Sequence, residues 1–188
     1  MSAFEVITIV LSLILGLSAG HILWSVASVV RARERLRMHW LPFAWAAAIF
    51  FQHASFFLGS LMIDRRIAAW AWSWYAHVLL LAVLLFASGA LVLPSESEER
   101  VGNLLDDFRK HGRLALIPFA AYHLAWIVMN ARLNGIQFDD GQLANVLLLT
   151  VMGVGFWARS LRVQGLAALG FLALLTWANV FVWSQIVL

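Results

Sequence analysis

With 63% of its 188 residues hydrophobic, 12% charged and no cysteine at all, this chain lies far from a water-soluble composition, in which about a quarter of residues are charged. The formal net charge of +3 comes from arginines gathered between long apolar runs, so it describes loops beside a membrane and not a nucleic-acid-binding surface. The absence of cysteine excludes disulfides, iron–sulfur clusters, thiolate zinc sites and thioether-linked haem.

The apolar runs are continuous, not alternating, and each is long enough to cross roughly 30 Å of hydrocarbon as a helix. Lipid offers the backbone no hydrogen-bond partners, so a continuous run that enters it must be helical. The predicted fold is all-α: a polytopic integral membrane protein forming a single transmembrane domain over 1–188, a six-transmembrane-helix bundle with one cytoplasmic amphipathic interfacial helix. The spans are expected at about 4–30, 38–63, 67–93, 114–131, 142–158 and 164–187, and the interfacial helix at about 96–112.

The first span is read as a retained helix and not a secretory signal, because nothing basic precedes Arg31 and Glu5 is its one early charge. Within it Gly16 and Gly20 form a Gly-x-x-x-Gly pair, which lets two helix backbones approach closely. Gly16-Leu17-Ser18-Ala19-Gly20 also fits the G-x-S-x-G pattern of a nucleophile elbow, but that motif requires a strand-to-helix turn. Ser18, His21, Ser25 and Ser28 recur at helical spacing along one stripe.

A basic turn, Arg31 to Arg37, leads to the second span, whose first turn holds Pro42. Asp64-Arg65-Arg66 is expected to close a tight hairpin into the third. After Pro94, Ser95 and Glu98 form an S-x-x-E capping box, followed by Val101, Leu104, Leu105 and Phe108 at helical spacing. That segment is expected to lie along the cytoplasmic interface and to join the third and fourth spans. The later spans hold few polar groups, with Asn179 the deepest.

Of thirteen Lys and Arg, all but Arg65, Arg66 and Arg132 fall in three alternate loops. By the positive-inside rule those loops are cytoplasmic and both termini external, as for a multi-pass protein of a plasma or inner membrane. The expected partners are the bilayer itself, anionic lipid headgroups, and other copies of the chain in a homo-oligomer or a larger membrane complex.

No Asp, Glu, Lys or Arg lies well inside any span, which argues against a Schiff-base pigment and against carboxylate-coupled ion transport. Four histidines remain at depth: His21, His53, His77 and His123. Around a hairpin centred on Arg65, His53 and His77 lie level, and His21 and His123 form a second pair about 15 Å from the cytoplasmic charges. Paired imidazoles on facing helices can ligate a b-type haem. The competing expectation is that each histidine hydrogen-bonds across a helix interface. The function expected from the sequence is that of a non-enzymatic membrane protein, either an oligomer-forming subunit or a neutral-lined passive path along Ser18, Ser25, Ser28 and Asn179. A haem-bearing electron-transfer subunit is the alternative.

Overall fold

A computed structural model describes residues 3–63, 67, 70–94, 102–135 and 139–183. Its helices, in chain order, are α1 (Ala3–Arg31), α2 (Trp40–Ile63), α3 (Trp72–Val92), α4 (Leu104–Lys110), α5 (Leu116–Asn134), α6 (Asp140–Trp157) and α7 (Leu161–Trp177). A 3-10 turn, Gly112–Ala115, leads into α5, and a π-helical turn, Ala178–Trp183, extends α7. No strand occurs among the described residues; two backbone bonds join Arg37 to the Gly102–Leu104 segment as an isolated bridge.

Five helical stretches are long and apolar enough to cross a membrane: Glu5–Arg31, Trp40–Leu61, Trp72–Val92, Gly112–Asn134 and Leu161–Phe181. The sixth long helix, α6, is 18 residues and opens with Asp140, Gln142 and Asn145, which lower the mean hydropathy of its first turns. It packs along both α5 and α7, while α1 packs along α2 and α3, and α2 along α7.

One end of the bundle is a knot of close contacts. Arg37 N–H donates to Gly102 O at 3.0 Å and Leu104 N–H to Arg37 O at 3.1 Å. A Cβ on Gly112 would stand 2.8 Å from Val92 O, and one on Gly165 2.9 Å from the Trp40 ring. The Arg113 guanidinium lies 5.1 Å from the Phe156 ring centre. These contacts gather the segments predicted to be cytoplasmic, with nine of their ten basic residues described. At the opposite end, Arg132 of α5 meets the start of α3.

Two expectations change. α3 begins at Trp72, not near 67, so the link from α2 is longer than Asp64–Arg66, whose own placement lies outside the described residues. The segment after Pro94 forms a short helix starting at Leu104, capped by the Asn103 side chain, which accepts from Leu105 N–H at 3.1 Å. The Ser95–Glu98 box lies outside the described residues. Asp106 and Asp107 in the first turn of α4, with Arg109 and Lys110 in its last, match the helix dipole. Leu104, Leu105 and Phe108 are buried against the bundle, Leu104 beside Val29, Leu36 and Phe43.

Candidate functional site: a buried polar belt and four histidines

Hydrophobic surface gives no net attraction between helices in lipid, so close packing and interhelical hydrogen bonds set their arrangement. Here, among the described residues, three fully buried bonds join side chain to side chain, each between a different pair of helices. The Ser18 hydroxyl of α1 donates to His53 Nε2 of α2 at 2.7 Å. Gln52 Nε2 of α2 donates to the Tyr122 hydroxyl of α5 at 3.1 Å. His123 Nδ1 of α5 donates to Asn145 Oδ1 of α6 at 2.9 Å. Gln52 and His53 are chain neighbours, as are Tyr122 and His123, so the bonds link four helices into one belt.

The geometry assigns the tautomers. His53 Nδ1–H donates to Ile49 O at 2.7 Å, which leaves Nε2 to accept from Ser18. Both nitrogens are therefore engaged, and the side chain is 3% exposed. A Cβ on Gly89 of α3 would stand 2.7 Å from Ser18 Oγ and 3.0 Å from Ile22 Cδ1, so α3 presses its bare backbone against this bond.

His77 occupies a different corner. Its Nε2–H donates to Ala125 O at 2.9 Å, and its Nδ1 accepts from Arg132 at 3.2 Å. The same guanidinium donates to Ser73 Oγ at 3.2 Å and stacks 4.0 Å from the Trp74 ring centre. Arg132 thus ties the start of α3 to the end of α5.

The expected level pairs do not meet. The Ser18 oxygen that bonds His53 lies against Gly89 of α3, twelve positions along that helix from His77. His53 bonds to α1, whereas His77 bonds to α5. His123 is enclosed by Phe119, Tyr122 and Phe171. His21 instead borders an open groove on α1 lined by Ser12, Gly16, Gly20 and Trp24. With both nitrogens of His53 and His77 taken by protein groups, nothing in the arrangement favours haem. Among the described residues no cluster of His, Asp and Glu is grouped to hold a metal ion.

The other sequence candidates are scattered. Gly16 and Gly20 face outward, with nothing among the described residues within 4 Å of a Cβ built on either. Ser25 is fully buried, its hydroxyl without a hydrogen-bond partner among the described residues, Ser28 is half-buried, and Asn179 donates to Leu175 O at 2.8 Å one turn back. Of the proposed polar path, Ser18 joins another helix, through its bond to His53. Sequence reasoning passed over Gln52, Tyr122 and Arg132. The available signal was the chain adjacency of Gln52 to His53 and of Tyr122 to His123.

Comparison of the chain with protein-family models, with curated proteins and with solved structures found no match.

Proposed function

We propose that this chain is a non-enzymatic membrane subunit that assembles with further copies of itself through the Gly16–Gly20 face of α1. The observation that carries this reading is that face itself. Ser12, Gly16 and Gly20 leave a shallow groove in an otherwise bulky outer surface, flanked by Leu13, Leu17 and Trp24. A groove of small residues lets a second helix backbone approach closely and pack against it. His21 borders the groove, half-buried at the edge of the α1 packing surface.

In the same reading α6 is the sixth crossing. Its 18 residues give about 27 Å of helix, and it lies between two helices apolar enough to span. Both termini are then external, and the arginine-rich knot faces the cytosol and its anionic headgroups. The segment around α4 lies at that interface, its apolar face turned to the bundle and its basic residues toward headgroups.

The absence of native cysteine makes the test direct. Leu13→Cys, on the groove, is expected to give a disulfide-linked dimer on mild oxidation in lipid vesicles. Leu166→Cys, 71% exposed on α7, is expected to give none. Adding Gly16→Ile and Gly20→Ile should abolish the Leu13→Cys product. A chain that stays monomeric at high protein-to-lipid ratio, or a dimer indifferent to the isoleucines, overturns the reading.

A further inference from the structure

His123 is the most enclosed ionisable side chain of the belt, and one of its nitrogens is open. The ring is 0% exposed. Phe119, Tyr122 and Phe171 surround it with ring centres 5.3, 5.1 and 5.8 Å away. Asn145 Nδ2 donates to Gly141 O at 2.8 Å, which turns the amide oxygen toward the imidazole. An amide oxygen can only accept, so His123 Nδ1 carries the hydrogen and Nε2 presents a bare lone pair. No protein group among the described residues meets that lone pair. Leaving such an acceptor unmatched costs about 1–3 kcal/mol, and the rings around it offer little compensation.

The belt holds a second open acceptor of the same sign. Gln52 uses Nε2 on Tyr122, and its Oε1 is buried without a partner among the described residues. Gln52 thus bonds the chain neighbour of His123. Each open acceptor demands a donor. No carboxylate touches His123, and a single nitrogen in an aromatic wall is a poor cation site. The occupant defined by this chemistry is small, neutral and equipped with an O–H.

We propose that His123 Nε2 is a mid-membrane binding position for one small hydroxyl donor, seated against Phe119, Tyr122 and Phe171 and aimed by the Asn145 hydrogen bond. Water is the smallest such molecule, and buried waters characteristically satisfy groups of this kind. A hydroxyl carried by a membrane lipid offers the same chemistry.

Solid-state NMR of the full chain with 15N-histidine, in bilayers of phosphatidylcholine alone, tests this without a mutation. Tyr122–His123 is the one Tyr–His step in the chain, so carbonyl-13C tyrosine assigns the residue. The expected result is an unprotonated Nε2 whose nitrogen shift is that of a hydrogen-bonded acceptor, with a cross-peak to an exchangeable proton. A cross-peak already present in phosphatidylcholine, which has no hydroxyl, identifies water. One that appears only in bilayers of lipid extract from the expression host identifies a membrane-borne hydroxyl. A free-acceptor shift without a cross-peak in both bilayers, or a protonated Nε2, overturns the proposal.

Discussion

Gly16 and Gly20 of α1 do the opposite in the fold of what Gly89 of α3 and Gly155 of α6 do. Gly16 and Gly20 carry the recognisable spacing, yet a Cβ on either would meet nothing within 4 Å. Gly89 and Gly155 carry no such motif, yet each sits where a Cβ would press into a neighbouring helix. What separates them is the direction each faces, which depends on the partner helix and not on the local spacing. The motif marks a surface able to pack, whereas the isolated glycines are already packed.

Substituting the inward set is the strongest way to break this contrast. A Cβ on Gly155 would stand 2.8 Å from Trp45 Cζ2 and 3.3 Å from Ala167 Cβ. Trp45 is itself held against Phe171 at 5.7 Å and is only 1% exposed, so neither wall can withdraw. Gly155→Val is expected to destabilise the bundle by about 3 kcal/mol, the upper end for overpacking. Unfolding in mixed micelles with increasing SDS measures it. A loss under about 1 kcal/mol would mean that α2 and α7 yield at this contact.

Gly89→Ala is expected to cost less, about 1–3 kcal/mol, through overpacking and the loss of an interhelical bond. The new methyl would displace Ser18 Oγ from His53 Nε2, since it falls 2.7 Å from that oxygen. The cause is separable from simple crowding. Ser18→Ala alone should cost about 0.6–2 kcal/mol, and the Gly89→Ala, Ser18→Ala double variant should cost less than the sum of the two singles. Strict additivity would show that the methyl acts elsewhere.

The Arg132 corner gives a smaller effect. Arg132→Gln removes the stacking on Trp74 and the charge-assisted bonds to Ser73 and His77. Because the guanidinium is exposed, the cost should stay near 1 kcal/mol. Its signature is local: faster amide exchange at the start of α3 and the end of α5, with the belt unchanged. Slowed or uniform exchange would contradict the tie between those two helix ends.

These effects also mark how far the sequence could be read. Helical spans follow from uninterrupted apolar runs, because lipid permits little else, and the arginine clusters foreshadow which ends come together. The placement of α3 was not legible. Apolar composition runs on from Ile67, but the chain at Trp70 and Ala71 is not yet helical, so the count from Arg65 that paired His53 with His77 has no hairpin to rest on. The belt was half legible. The histidines stand out as costly groups at depth, while Gln52 and Tyr122 look like ordinary polar residues until a facing helix is known. Partners at a distance in sequence, such as Ser18 for His53 and Asn145 for His123, are set by helix rotation, on which a nearly uniform apolar surface is silent.

The outward glycines supply the smallest stability change and the sharpest contrast. Gly20→Ala adds a methyl to open space, so the monomer meets no clash and gains helix propensity, by up to about 1 kcal/mol in aqueous hosts and less within an already helical membrane span. The expected outcome in dilute detergent is an unfolding midpoint unchanged or slightly raised, opposite in sign to Gly89→Ala in the same protein. In vesicles the proposed dimer would place the same methyl between two α1 helices, so the Leu13→Cys crosslink should weaken, though less than with isoleucine. Destabilisation of the dilute protein by Gly20→Ala would mean that this face is packed within the monomer, and the distinction between inward and outward glycines would be lost.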